Sequence, residues 1–259
     1  MVKGLYTAYT GMLNEQNRMD IMTNNLANAS TVGYKKEGST SQSFDDVLTV
    51  KIKDQSVGMR NAQKIGIKNP GVKIGENYTD YSQGSFRITG NTYDLALSGE
   101  GFFAIEFTNK AGETDTKYTR AGQFTLNKDG YLVTEEGDYV LDTQNRRIRL
   151  NTLIDSSITD DGTIYQNGQA MAKIQVTDFA DYDYLEKYGE TYYQPIQGAQ
   201  TIASNAQVKS GYLEMANVQI VSEMVNLISI TRAYESNQKV VQTIDDTLDV
   251  AANQIGRVQ

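Results

Sequence analysis

The chain has 259 residues, 24 basic and 32 acidic side chains, a formal charge of −8 and 39% hydrophobic residues, with 17 Tyr and 7 Phe. That is enough material for one large domain or two modest ones with a real core. It contains no Cys and no His, which removes thiolate and disulfide chemistry, cysteine zinc sites, the usual general base and the commonest transition-metal ligand. Residues 1–40 carry 4 basic and 3 acidic groups and residues 205–259 carry 4 and 6, which leaves the middle with 16 and 23. Such a body repels polyanions, and no basic stripe with interleaved aromatics is visible, so no nucleic-acid partner is expected. No catalytic, cofactor or metal site is expected either.

The first helix is predicted from about Lys3 to Asn28, with Leu5, Ala8, Met12, Met19, Met22 and Leu26 stepping by threes and fours and Glu15 interrupting the stripe. Asn24, Asn25 and Asn28, then Ser30-Thr31-Val32-Gly33, carry the polar and glycine signals that end helices. This segment has no continuous apolar h-region, so no cleaved signal peptide is expected, and no apolar run approaches the ~18 residues of a membrane span. From Tyr34 to about Gln83 the texture is extended. Leu48, Val50 and Ile52 alternate with Thr49, Lys51 and Lys53, and Ile65 and Ile67 precede a turn at Asn69-Pro70-Gly71.

From Gly84 to about Ile202 short alternating segments include Tyr93-Leu95-Leu97, Phe103-Ile105-Phe107, Phe124-Leu126, Tyr131-Val133, Ile148-Leu150 and Ile174-Val176. Turn chemistry separates them at Asn109-Lys110-Ala111-Gly112, Asn127-Lys128-Asp129-Gly130, Asp161-Gly162 and Asn167-Gly168, which predicts an antiparallel β-domain, a barrel or a sandwich. After Gly211 a long helix is predicted: Leu213, Ile220, Leu227, Tyr234, Val241, Leu248 and Ile255 recur every seventh residue, the period of coiled-coil packing. Leu5, Met12, Met19 and Leu26 repeat that period at the other end. An unbroken helix from Gly211 to Arg257 would reach about 70 Å at 1.5 Å per residue.

The second line of apolar residues, Ala216, Met224, Ile230 and Ile244, drifts between registers, which suits a helix among several neighbours better than a two-stranded zipper. The expected fold class is therefore α+β, with terminal helices pairing as a coiled coil around a central antiparallel β-domain and an extended β arm. Its expected parts are 1–33 for the N-terminal helix, 34–83 for the arm, 84–202 for the β-domain and 203–259 for the C-terminal helix.

Three sharper patterns yield to plainer readings. Gly99-Glu100-Gly101-Phe102-Phe103-Ala104 has dinucleotide-fingerprint spacing, but strand sequence follows it where that fingerprint needs a helix. Thr125 to Glu136 can be laid on a calcium loop, yet Thr125 stands where a carboxylate is required and a hairpin turn explains the stretch better. The pairs Glu135/Glu136, Asp160/Asp161 and Asp181/Asp183 read as solvated surface, not as two carboxyls set across a cleft.

Four motifs in order resemble one known family. Asn24-Asn25-Leu26-Ala27-Asn28-Ala29-Ser30-Thr31-Val32-Gly33-Tyr34-Lys35 is similar to the amino-terminal signature of bacterial flagellar rod and hook proteins, the axial family. Asp94-Leu95-Ala96-Leu97-Ser98-Gly99-Glu100-Gly101-Phe102-Phe103 resembles its central motif, and Tyr118-Thr119-Arg120-Ala121-Gly122-Gln123-Phe124 with Asp129 to Val133 its next block. The stretch with Gly211 to Glu214, Asn217-Val218, Glu223-Met224-Val225 and Arg232-Ala233-Tyr234-Glu235-Ser236-Asn237 resembles its carboxy-terminal signature.

The resemblance implies a non-enzymatic subunit of the flagellar basal-body rod in the cell envelope, without cofactor or membrane insertion, exported unfolded by the flagellum's own type III apparatus. Its implied partners are copies of itself in a helical assembly, other rod and hook subunits, and the export apparatus. Length and the long segment between Phe44 and Gly84 look most like the distal rod protein, with the proximal rod protein as the alternative. The expected subunit interface is Leu5, Met12, Met19, Leu26, Leu213, Ile220, Leu227, Tyr234, Val241 and Leu248. From another class, the alternative is a secreted glycan-binding or glycan-hydrolysing β-domain with helical oligomerisation tails.

Overall fold

The structure, a computed structural model, describes residues 2–51, 63–109 and 112–255. Ile52 and Lys53 of the alternating run, Lys110 and Ala111 of the turn, and Arg257 at the expected helix end lie outside the described residues. A helix stands at each end of the chain and an antiparallel β-rich body lies between, an α+β arrangement. Two compact units result: Met1–Leu26, Glu37–Asp80 and Ile220–Gln259 form one, and Ala27–Lys36 with Tyr81–Gln219 the other.

In the helical unit, helix α1 spans Val2–Ala27 and helix α2 spans Ile220–Val250. α1 stops where its apolar steps run out, and the following turn is closed by Thr31 N–H donating to the Asn28 carbonyl at 3.1 Å. Between the helices in sequence, Glu37–Ser43 pairs antiparallel with Val72–Thr79, and Val47–Lys51 pairs with Gln63–Lys68, a ribbon folded back on itself. Ser41 of this ribbon and the link at Pro70 touch α1: Ser41 Oγ donates to Asn14 Oδ1 at 3.0 Å, and Thr7 Oγ1 donates to the Pro70 carbonyl at 3.3 Å. Asn25 bonds both backbone groups of Glu37, accepting its N–H at 2.9 Å and donating to its carbonyl at 2.8 Å.

α2 corrects the expected helix start. Tyr212–Glu214 is a strand paired with Phe86–Ile88, and the helix begins only at Ile220. Leu213, 2% exposed, is a buried residue of that strand and falls on the seven-residue period by coincidence. Residues 203–219 accordingly lie with the β unit. With 31 residues, α2 is about 46 Å long and not about 70 Å. At the far end Ala251–Ile255 forms a π-helical turn.

The β unit is organised about Phe102–Thr108. That strand pairs with Thr114–Thr119 on one edge and with Tyr139–Val140 and Val176–Phe179 on the other. Because side chains alternate along a strand, the neighbours Phe102 and Phe103 serve different cores. Phe103 joins Leu95, Leu97, Phe124, Leu132, Val140, Ile148 and Ile164, while Phe102 joins Ala104, Tyr118, Leu141, Phe179, Leu185 and Tyr193. Each buried Leu, Ile, Val or Phe among them contributes about 1.5–3 kcal/mol relative to exposure. The Asn167-Gly168 turn joins Thr163–Gln166 to Gln169–Lys173 with both residues at positive φ, as a two-residue hairpin requires.

Candidate assembly site

No enzymatic constellation emerges from the three sharp sequence patterns. Phe102 to Ala104 is strand. The turn after Leu126 satisfies itself, with Asn127 Oδ1 accepting from the N–H groups of Asp129 and Tyr131 at 3.0 and 2.8 Å. Glu135 and Glu136 lie in the turn between two strands, and Asp181 caps the 3-10 turn at Tyr182–Tyr184 through Asp183 N–H. Among the described residues no group of three or more Asp or Glu is placed to hold a metal ion.

The seam positions on the helices fare unequally. Leu5, Met12, Met19 and Leu26 of α1 and Leu227, Tyr234 and Val241 of α2 are half-buried. Ile220, at the first residue of α2, is 50% exposed and Leu248 37% exposed. The shielded line of α2 runs through Glu223, Leu227, Ile230, Tyr234, Asn237, Val241 and Ile244, alternate steps of four and three. It includes a buried carboxylate and an amide that apolar periodicity alone passes over.

Two α1 glycines show where the helices meet. A methyl built on Gly4 would lie 3.5 Å from Ile244 Cδ1, and one on Gly11 would lie 2.9 Å from Asn237 Nδ2. The helices are therefore antiparallel at these points. A glycine inside a helix costs about 1 kcal/mol relative to alanine, so two of them seven apart on one face mark a close approach. That spacing was the available sequence signal.

The family-motif residues of the β unit gather elsewhere, about Glu214. Lys35 Nζ lies 2.7 Å from Glu214 Oε1, Arg120 Nη1 lies 3.3 Å from Oε2, and Gly84 N–H donates to Oε1 at 3.0 Å. All three charged side chains are buried. Two cations face one carboxylate, and the excess positive charge meets the Ser82 carbonyl, 2.7 Å from Lys35 Nζ, and the Phe102 ring, 5.3 Å from Arg120 Cζ. Among the described residues Arg120 Nε has no hydrogen-bond partner.

The backbone around this cluster is laced together as well. Gly33 N–H donates to the Glu214 carbonyl at 2.8 Å, Lys36 N–H donates to Asn217 Oδ1 at 2.7 Å, and Val32 bridges Met215. Gly33 holds φ at +70°, and a side chain there would run into the Ala121 backbone nitrogen. The segment that leaves α1 and the segment that leads into α2 are thus fastened to each other within the β unit. Removing one partner of a buried ion pair typically costs about 3–5 kcal/mol, because the other charge stays buried.

The remaining motif residues lie nearby in sequence but in varied settings. Asn28 Nδ2 donates to Glu190 Oε2 at 2.7 Å, Asp94 Oδ1 accepts from Asn91 Nδ2 at 3.1 Å, and Thr119 Oγ1 donates to the Thr191 carbonyl at 2.9 Å. Gly99 and Gly101 hold positive φ, and Tyr118 sits edge-on to Phe179. On α2, Glu223 is buried, Tyr234 half-buried, and Met224, Arg232 and Glu235 exposed.

Helices at the two ends of the sequence and an antiparallel β-rich body between them define an α+β protein, and comparison narrows that class. Residues 5–35 match the family described as Flagella basal body rod protein, 96–168 the Flagellar hook protein FlgE/F/G D1 domain, and 209–255 the Flagellar basal body rod FlgEFG protein C-terminal. The chain is 34% identical to the flagellar basal-body rod protein FlgG of Bacillus subtilis, over 98% of this chain and 99% of that protein. It is 31% identical to the flagellar hook-basal body complex protein FlhO of the same organism, over the full length of both. A flagellar basal-body rod protein FlgF of Caulobacter vibrioides is 30% identical, again over both full lengths. The chain belongs to the flagellar basal-body rod protein family, and its place is the basal body.

Proposed function

We propose that this rod subunit polymerises helically, with copies of itself and other rod and hook subunits, into a hollow drive shaft that transmits torque and lines the export channel. It reaches that place through the flagellar export apparatus. The observation that carries this reading is that both helices, after packing within their own unit, keep a second apolar face in contact with water. Marginal helices of this kind gain their remaining burial on association, and a head-to-tail contact whose rotation does not close yields an open filament.

In this reading the helices pair as a coiled coil through Leu5, Met12, Met19, Leu26, Leu227, Tyr234 and Val241, and the β unit, a closed barrel or sandwich, rides outside. The length of the segment between Phe44 and Gly84 favours the distal position along the rod. The compact stretch after Asp142, with Pro195 its single proline, favours a second reading, the proximal position. The test is Leu227→Asp: the β unit stays folded and soluble while incorporation into rods, scored in isolated basal bodies, is abolished. Normal rods built from that variant refute the seam.

A further inference from the structure

The apolar faces left in water lie on the reverse sides of the helices. Tyr6, Tyr9 and Leu13 point away from Gly4 and Gly11, which face α2. Val221, Met224, Val225 and Ile228, the first of them 76% exposed, lie opposite the shielded line of α2. No charged residue occurs from Gly4 to Asn14, and Glu223, the single charge between Met215 and Thr231, is buried. A helix face meant for solvent carries charge. These two faces do not.

Resting on the self-assembly reading above, we propose that the Tyr6/Tyr9/Leu13 face of one copy seats on the Val221/Val225/Ile228 face of the next. The spacings match in the antiparallel sense: Tyr6, Tyr9 and Leu13 step by three and four, as do Ile228, Val225 and Val221 taken in reverse. Tyr6 then meets Ile228, Tyr9 meets Val225, and Leu13 meets Val221, with Met224 beside the Tyr9 ring in the favourable sulfur–aromatic contact.

One copy cannot make this contact with itself. With Gly4 level with Ile244 and Gly11 level with Asn237, Tyr9 stands level with Lys239, about 21 Å along the axis from Val225 at 1.5 Å per residue. The next copy must therefore run in the same direction, displaced by about that distance, and it leaves its own second face open. The contact is heterologous and adds one copy after another. A parallel register, with Tyr6 on Val221, would instead close a two-fold pair.

Because the natural chain lacks Cys, disulfide trapping reads the contact directly. Tyr9→Cys/Val225→Cys, oxidised under conditions in which the unmodified chain sediments as polymer, is expected to give a covalent ladder. An equimolar mixture of the two single variants gives dimers only, and each alone stays monomeric. Leu13→Cys/Val221→Cys, the flanking pair, repeats the ladder if the first pair weakens assembly. An intramolecular bond is barred, since a disulfide needs Cα atoms within about 4.4–6.8 Å. Polymer that sediments but yields only monomers with both pairs overturns the pairing of faces and leaves self-assembly standing. Dimers alone from the double variant overturn it in favour of the closed pair. No sedimenting polymer from the unmodified chain removes self-assembly, and this contact with it.

Discussion

Around Glu214 the β unit hides a lysine, an arginine and a carboxylate from water, while the helical unit leaves tyrosines and valines facing it. Ordinary burial rules run the other way in both places. In the first, polar groups are locked inside because each finds a partner nearby: carboxylate to ammonium, guanidinium to carboxylate, ammonium to a backbone carbonyl. In the second, apolar groups remain outside because the described residues of the unit offer two helices and a thin ribbon to cover them. One region is finished by its own chain, and the other is not.

The largest effect that would break this contrast is at Glu214. Glu214→Ala strands Lys35 and Arg120 in the interior and is expected to cost about 3–5 kcal/mol in urea unfolding; a loss below about 1 kcal/mol would mean that the cluster does not hold the β unit together. Next is Gly33→Ala, which forces a side chain toward the Ala121 backbone at a positive φ. A shift of about 1–3 kcal/mol in the same experiment is expected.

Smaller is the pH response. The Arg147 hydrogen bond holds the Glu106 carboxyl below its ordinary 4.5. Burial pushes Asp142 up, but the Arg146 and Thr143 hydrogen bonds, with the Thr143 and Lys173 backbone N–H groups, outweigh it and leave it below its ordinary 3.8. Both groups therefore add stability above those values and lose it as pH falls through their lowered folded values. Unfolding midpoints should drop below about pH 4.5, and Glu106→Gln should flatten that slope by under about 1 kcal/mol, as befits a half-exposed pair.

The smallest change in stability sharpens the other half of the comparison. Val225→Ser is expected to alter monomer unfolding by no more than about 0.5 kcal/mol, because the side chain already faces water. The fraction that sediments as polymer should fall all the same. A variant that unfolds easily would show instead that Val225 belongs to an internal core.

Much of this division was legible in the residues. The steps from Leu5 to Leu26 and the Asn and Gly signals after them gave α1 to within a residue or two, because local period and stop chemistry agreed. Most alternating runs from Leu95 onward gave strands for the same reason, but Ile148-Leu150 lies outside any strand and is held by isolated bridges at Arg147 and Arg149. Leu213 misled because a period of seven cannot distinguish a helix position from a buried residue of a three-residue strand. Residues 211–219 also lack a strong cap to mark the true start. The Glu214 cluster was illegible in kind: its members are 94 and 179 positions apart from Glu214, and no local pattern announces a contact made only by tertiary folding. Nor does periodicity reveal which of two apolar faces a helix keeps covered.

The 179-position gap between Lys35 and Glu214 also sets an order of events. A polypeptide that emerges amino end first has no carboxylate for Lys35 until more than four-fifths of its length is out. Long-separation contacts are slow to close. Until then the segment after α1 lacks this tie, although α1 itself can already meet residues 37–72 through Asn14, Asn25 and Thr7, and the last stretch to arrive adds the buried pair.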